Sequence, residues 1–157
     1  GTCFDVYLPA KRDRQTSQGR KLQSSVTEGE GRILVMDDDR AVRELLRRML
    51  PTVGYEVEAV ADGDEAVEAF EAAAKAKKPF DAVILDLMVP GGVGGRAAAK
   101  SILKTAPDSK LIVSSGYSND PIMAHYREYG FVDVVSKPYN MEELSTTLAR
   151  VVAGDVA

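Results

Sequence analysis

The sequence has almost no cysteine and no long apolar run, and both absences limit what the chain can be. Cys3 is its only cysteine, so an internal disulfide is excluded. Apolar runs such as residues 82–85 are far too short to span a bilayer, which takes about 20 apolar residues. The first residues also lack the basic and then apolar pattern of a secretion signal. We therefore expect a cytoplasmic chain that makes no membrane contact.

Excess positive charge is missing as well. The net charge of the 157 residues is −4. Residues 1–31 carry five Lys or Arg and four Asp or Glu, so the acidic excess lies in the remainder of the chain. Since nucleic-acid binding depends on neutralising phosphates with basic side chains, we expect no nucleic-acid partner. The length suits one domain with some extra chain.

The chain divides into a polar segment and a region of alternating apolar patterns. Residues 10–31 contain almost no large apolar side chain, which predicts a flexible linker. From residue 32 onward, short apolar runs alternate with amphipathic stretches. The predicted strands cover residues 32–36, 55–60, 82–85, 110–114 and 132–135. The first predicted helix has Val42, Leu45, Leu46 and Met49 on its inward face. The other predicted helices cover residues 64–76, a stretch ending near 103, 121–129 and 141–152.

Strands that alternate with helices predict an α/β fold with a parallel sheet covered on both faces. At this size the economical architecture is a flavodoxin-like, doubly wound five-stranded sheet in the order 2-1-3-4-5, with five helices. The strand order rests on analogy with known folds.

Acidic residues stand where two of the predicted strands end. Asp37, Asp38 and Asp39 follow the first strand, and Asp86 ends the third. Because ligands of open α/β sheets bind at the carboxyl ends of the strands, these acids should converge on one crevice. Converging carboxylates repel unless they are protonated or bind a cation, and an all-oxygen site suits Mg²⁺. For Asp39 a helix cap is the better interpretation, whereas Asp37 and Asp38 favour the metal.

Two more polar residues end later strands, Ser114 after the fourth and Lys137 after the fifth. Taken singly, a serine in a turn or a lysine in solvent would explain either one. Together with the acids they supply what a bound phosphoryl group requires, namely a hydroxyl and an ammonium beside a carboxylate–metal centre.

These residues sit in motifs that resemble bacterial response-regulator receiver domains of two-component systems. The motifs are ILVMDDD (33–39), VILDLMVPGG (83–92), LIVSSGYS (111–118) and VVSKPY (134–139), in the family's order. The resemblance implies that residues 32–157 form a receiver domain. It also implies a phosphohistidine donor as partner, on a kinase dimerisation domain or a phosphotransfer domain.

The resemblance also implies residue roles. Asp86 would be the phosphoacceptor, assisted by Lys137 and by Ser114, which would move to bind the phosphoryl group. Mg²⁺ or Mn²⁺ would be bound by Asp38 and Asp86, by Asp37 largely through water, and by the backbone carbonyl of Met88. The Lys137–Pro138 peptide bond would be cis. The chain departs from the family at Val134, where Phe or Tyr often acts as a rotameric switch.

The first nine residues, GTCFDVYLP, resemble the last strand of a histidine kinase ATP-binding domain. This resemblance implies that the receiver ends a hybrid histidine kinase, although residues 1–9 alone retain no ATP site. The chain itself would be a phosphoacceptor with at most slow self-dephosphorylation. The single histidine, His125, lacks the surroundings of a phosphodonor, so we expect it to be exposed.

Three alternatives stay open. A pseudo-receiver would act only as a docking module, which the intact acids, Ser114 and Lys137 oppose. An aspartate-nucleophile phosphohydrolase would need a second acid two residues after Asp86, where this chain has Met88. A flavodoxin-like cofactor module would suffer repulsion between the acids and a flavin phosphate. A homodimer formed through the fourth-helix face is compatible with the resemblance.

Overall fold

The fold is described from a computed structural model, which covers residues 26–116 and 121–155. The predicted kinase strand at residues 1–9 and most of the predicted linker lie outside these residues. The strands are β1 (Gly31–Met36), β2 (Tyr55–Val60), β3 (Ala82–Asp86), β4 (Leu111–Ser115) and β5 (Asp133–Ser136). The helices are α1 (Arg40–Met49), α2 (Gly63–Lys75), α3 (Gly95–Thr105), α4 (Pro121–Ala124) and α5 (Met141–Ala153).

The strands form one parallel sheet in the order β2-β1-β3-β4-β5, which confirms the predicted architecture. Parallel strands need crossover connections, and the helices supply them and cover both faces. β3 lies in the middle and all five of its residues are buried. The phosphoacceptor candidate Asp86 therefore ends the central strand.

Two hydrophobic cores lie on opposite faces of the sheet, because successive residues of a strand point to opposite sides. Ile33 and Val35 of β1 pack with α1 and α5 in the first core. Leu34 and Met36 pack with α2 and α3 in the second core. Both faces of β1 are thus apolar, and the first polar residue after the strand is Asp37.

The fourth helical segment differs from the prediction of one helix over residues 121–129. α4 ends at Ala124, and a separate 3₁₀ turn covers Tyr126–Tyr129 before Gly130, whose φ of 84° closes it. None of residues 121–129 is buried. Its apolar residues are only partly buried against the second core, so the segment gains little from packing and their spacing does not sustain a continuous α-helix.

The first helix also differs in one residue. Leu46 is fully buried, but Leu45, which was predicted to face inward, is 45% exposed. At about 100° per residue, Leu45 lies at the edge of the stripe formed by Val42, Leu46 and Met49. The apolar spacing therefore predicts the helix correctly, but the buried face of the helix is narrower than the spacing indicates.

Residues 26–30, which we call the arm, lie against the domain although they belong to the predicted linker. Val26 packs on the core beneath α1 and α5. Thr27 N donates to Ser145 Oγ at 3.2 Å, and Gly29 N donates to Val53 O at 2.9 Å. The contacts of the folded unit therefore begin before β1.

Within the part of the chain described, every helix is too short or too polar to cross a lipid bilayer.

Candidate functional site

The sheet brings the predicted site residues to one edge. Asp37 follows β1, and its backbone N–H donates to Val60 O at 3.2 Å. Asp86 and Ser114 are register partners on β3 and β4. Lys137 follows β5, with its N–H donating to Ser115 O at 3.0 Å. These backbone bonds continue the ladder past the strand ends, so the side chains there are held by the sheet.

Lys137 bridges the two buried carboxylates. Its Nζ lies 2.6 Å from Asp37 Oδ2 and 2.6 Å from Asp86 Oδ2. Asp37 is fully buried and Asp86 is 5% exposed. Two carboxylates and one ammonium leave this group with one excess negative charge, in surroundings where charge is poorly screened.

The pKa shifts follow from this arrangement. Burial raises the pKa of Asp37 above its ordinary value, although contact with Lys137 opposes the rise. Burial alone would lower the pKa of Lys137, but its bonds to Asp37 and Asp86 outweigh that effect and raise the pKa well above 10.5. Lys137 is therefore a permanent cation near neutral pH.

A divalent cation fits the acids. Asp37, Asp38 and Asp86 each offer a carboxylate oxygen, and these atoms lie within 4.8 Å of one another. Asp37 Oδ2 is buried and forms an ion pair with Lys137, and a carboxylate oxygen has a second lone pair with which it can bind a cation. Asp38 is exposed, which leaves the site open to solvent. An open, all-oxygen site is the kind that Mg²⁺ occupies while keeping several waters.

The loop after β3 is placed against Asp86 by glycine. A Cβ atom at Gly95 would lie 2.5 Å from Asp86 O, so only glycine allows α3 to start this close to the strand. Met88 N approaches Asp86 Oδ1 at 3.4 Å, and the Met88 side chain is exposed. The loop thus turns over the end of β3 beside the acceptor carboxylate.

Asp39 has the role of a cap, as the sequence favoured. Its side chain accepts from Ala41 N at 2.7 Å at the start of α1. Arg43, one turn later, donates from Nη1 to Asp37 O at 2.5 Å and to Asp38 O at 2.9 Å. Arg43 therefore positions the backbone of both acids. The sequence offered no signal for this role, because Arg is common on an exposed helical face.

Ser114 is fully buried, and its Oγ lies 2.7 Å from the Tyr139 hydroxyl. Among the described residues, Tyr139 is the hydrogen-bond partner of the Ser114 hydroxyl. Tyr139 belongs to the VVSKPY motif, and the sequence alone predicts no role for it. The available signal was a phenol two residues after the lysine that ends a strand.

Two smaller expectations hold. The Lys137–Pro138 peptide bond is cis. His125 is exposed, with 61% of its side chain accessible and Glu128 Oε1 3.4 Å away. It stands between α4 and the following 3₁₀ turn.

Residues 33–149 match the family described as response regulator receiver domain. The chain belongs to this family. The match spans all five strands and every site residue discussed above.

Relatives agree with this assignment. The chain is 38% identical over 113 residues to the response regulator MprA of Mycobacterium sp. (strain KMS), covering 72% of this chain and 46% of that protein. The response regulator MprA of Mycobacterium leprae is 38% identical over 120 residues, with 76% and 49% covered. The chain thus spans about half the length of these curated relatives.

A solved receiver adds a structural comparison. The response regulator TrrA from Thermotoga maritima, in complex with Mg²⁺ and BeF, is 32% identical and has a TM-score of 0.66. The similarity covers 76% of this chain and 97% of the TrrA chain.

Proposed function

We propose that this receiver domain accepts a phosphoryl group from a phosphohistidine onto the carboxylate of Asp86. The observation that carries the proposal is the Lys137 ammonium, held 2.6 Å from Asp86 Oδ2 beside a cluster of three acids. A docking module would have no need to bury two carboxylates around one cation at an open strand edge. A phosphohydrolase of the aspartate-nucleophile class is disfavoured by Met88, because no acid stands two residues after Asp86.

In the proposed reaction an Asp86 carboxylate oxygen attacks the phosphorus atom. An O–P bond forms, giving a mixed anhydride, while the P–N bond to the imidazole breaks and its electron pair stays on the ring nitrogen. Lys137 contributes positive charge near the incoming phosphoryl oxygens. Ser114, the register partner of Asp86, is placed to donate a hydrogen bond to one of them once its hydroxyl turns toward the acceptor.

Mg²⁺, or Mn²⁺, is the proposed metal. Asp38 and Asp86 would bind it directly, Asp37 largely through water, and the Met88 carbonyl would complete the protein's share. When bound, the ion supplies charge that offsets the repulsion between the acids and an incoming phosphoryl group. TrrA, whose solved complex contains Mg²⁺ and BeF, supports this choice.

We also propose that the donor is a histidine kinase dimerisation domain or a phosphotransfer domain, and that the reaction takes place in the cytoplasm. The GTCFDVYLP segment supports a parent hybrid histidine kinase, with residues 10–25 as the link between its modules. This origin is contradicted if the coding sequence upstream of Gly1 encodes no ATP-binding domain.

The test is the intact mass of the protein after incubation with Mg²⁺ and acetyl phosphate. Wild type should gain one acid-stable, base-labile phosphoryl group of about 80 Da. Asp86→Asn should gain none, and EDTA should abolish the gain. Asp108→Asn is the matched control, because Asp108 is exposed and precedes β4 at the opposite edge of the sheet.

The control should be labelled like wild type. Absence of labelling in wild type, even with a competent phosphohistidine donor, would overturn the proposal and favour a docking module. Labelling that persists in Asp86→Asn would place the acceptor elsewhere.

A further inference from the structure

The Ser114 hydroxyl, which is proposed to bind the phosphoryl group, already forms a hydrogen bond in the unphosphorylated domain. Ser114 Oγ lies 2.7 Å from Tyr139 Oη, and Ser114 is fully buried, so water does not compete for this bond. Ser114 is bonded neither to Asp86 nor to Lys137 in the described part of the chain. Its hydroxyl is therefore bonded to Tyr139 and not to the acceptor that pairs with it across β3 and β4.

The partner comes from the side of the sheet that faces α1 and α5. Tyr139 packs against the first core, whereas Val134 packs against the second, on the opposite face. Tyr139 also immediately precedes Asn140, whose side chain caps α5 by accepting from Glu142 N and Glu143 N. A change in the hydrogen bonding of the Tyr139 hydroxyl thus occurs next to the N-terminus of α5.

Tyr139 remains a phenol under ordinary conditions. Burial raises its pKa to about 12, with the hydrogen bond to Ser114 acting in the opposite direction. A neutral phenol and a serine hydroxyl each carry a single proton and can exchange donor and acceptor roles. Their bond is consequently intact over the pH range in which phosphoryl transfer would be measured.

We propose that Tyr139 is a positioning residue of the phosphoryl switch, which holds the Ser114 hydroxyl in the unphosphorylated domain and competes with the phosphoryl group for it. The inference rests on the proposed phosphoacceptor function. The proposed movement of the Ser114 hydroxyl toward the phosphoryl oxygen breaks its bond to Tyr139, so the strength of that bond opposes the switched state. Release of the phenol would report phosphorylation to the start of α5, a role that Val134 lacks the functional group to perform.

The experiment is a double-mutant cycle on Mg²⁺-dependent beryllofluoride binding, measured by isothermal titration calorimetry. The four proteins are wild type, Tyr139→Phe, Ser114→Ala and the double variant. Tyr139→Phe keeps the ring and removes only the competing hydroxyl, so its affinity should rise about threefold to tenfold, the usual effect of one hydrogen bond. In the Ser114→Ala background the same change should alter affinity by less than about twofold, because there is no hydroxyl to release.

Tyr129→Phe is the control, since Tyr129 lies in the 3₁₀ turn with its ring against Arg96. It should bind beryllofluoride like wild type. Unchanged or weaker binding by Tyr139→Phe, or an equal gain in the Ser114→Ala background, would overturn the inference. Failure of wild type to bind beryllofluoride would instead remove the proposed function, and the inference with it.

A measurement on wild type avoids dependence on the folding of any variant. With ¹³C-labelled tyrosine, the Cζ signal of Tyr139 should shift when beryllofluoride is added with Mg²⁺, because its hydroxyl changes partner. A signal that stays in place while beryllofluoride binds would show that the bond to Ser114 is not exchanged.

Discussion

Lys137 is the residue on which the acidic site depends for charge balance. It is the ammonium that contacts both Asp37 and Asp86, and its own side chain is only 19% exposed. Without it, two buried carboxylates would face each other with no cation between them. Partnerless buried charge is among the more costly defects that one substitution can produce.

Lys137→Met should therefore lower the free energy of unfolding at pH 7 by about 2 to 4 kcal/mol in the absence of divalent ions. Urea unfolding measures this loss. Added Mg²⁺ should restore much of it, because a cation bound to the acids replaces the missing charge. Lys100→Met is the control, an exposed lysine on α3 whose replacement should change stability by less than about 0.5 kcal/mol.

The loss of stability in Lys137→Met should depend on pH. Asp37 already has a raised pKa, so its ionisation lowers stability as pH rises from about 3.8 through the folded-state pKa. Lys137→Met removes an attraction that lowers this pKa and should raise it further. The difference in unfolding free energy between wild type and variant should thus narrow as the pH falls toward 3.8, the ordinary pKa of an aspartate. A gap of equal size at pH 4 and pH 7 would indicate lost packing instead of lost charge.

At the level of residues, the sequence was sufficient to predict that four polar side chains lie at the same end of the sheet. They are Asp37, Asp86, Ser114 and Lys137. Each ends a strand, and parallel strands end at the same edge. The contacts of Tyr139 and Arg43 were not predictable in this way. They depend on side-chain direction in a turn and on a helix, which spacing alone does not determine.

At the level of secondary-structure elements, the start of α1 gives different roles to two neighbouring acids. Asp39 caps the helix through Ala41 N, whereas Asp38 is exposed and contributes an oxygen to the acidic cluster. The start of the helix thus places an acid that caps the helix beside an acid that we propose to bind the metal.

Substitutions at these two positions separate the roles of the acids. Asp39→Ala should lower the free energy of unfolding by about 1 kcal/mol, the usual cost of losing a cap, and Asp39→Asn should preserve it. Asp38→Ala should leave stability without metal nearly unchanged and weaken Mg²⁺ binding. Urea unfolding and calorimetric Mg²⁺ titration provide the measurements. Equal Mg²⁺ affinity in wild type and Asp38→Ala would contradict the assignment of this carboxylate to the metal.

Periodic patterns predicted the elements well where a face is buried. β2 has the predicted bounds, and α5 buries Leu144, Leu148 and Val151 as its stripe indicated. The segment after β4 was predicted less well, because its apolar residues at 122, 123, 126 and 129 fit both an α-helix and tighter turns. Because these residues are only partly buried, their spacing does not discriminate between these conformations.

For the whole molecule, the arm enlarges the folded unit beyond the boundary at residue 32 that composition suggested. Its sequence is polar enough to be taken for linker, yet Val26 and two backbone hydrogen bonds attach it to the domain. Gly29 also lies against Tyr55, since a Cβ atom there would be 1.9 Å from the phenol oxygen. A single apolar residue in a polar segment is too weak a signal to predict such contacts.

Residues 32–157 alone should be less stable than residues 26–157 by about 1 to 2 kcal/mol. The loss reflects the Val26 contacts and the bonds to Ser145 and Val53. Urea unfolding of the two shortened chains gives the comparison. Equal stability of the two shortened chains would show that the arm only rests on the surface.

The two apolar faces of β1 have a consequence for how the sequence of this strand can vary. A shift of one residue would exchange Ile33 and Val35 for Leu34 and Met36, which are also apolar, but it would place Asp37 at the buried position of Met36 in the second core. The same shift would carry Asp37 about 3.3 Å along the strand and turn it to the other face, away from Lys137. Interchange among aliphatic residues should therefore be tolerated in β1, but a change in its length should not. We expect the number of residues before the aspartates to be constrained more strictly than their identity.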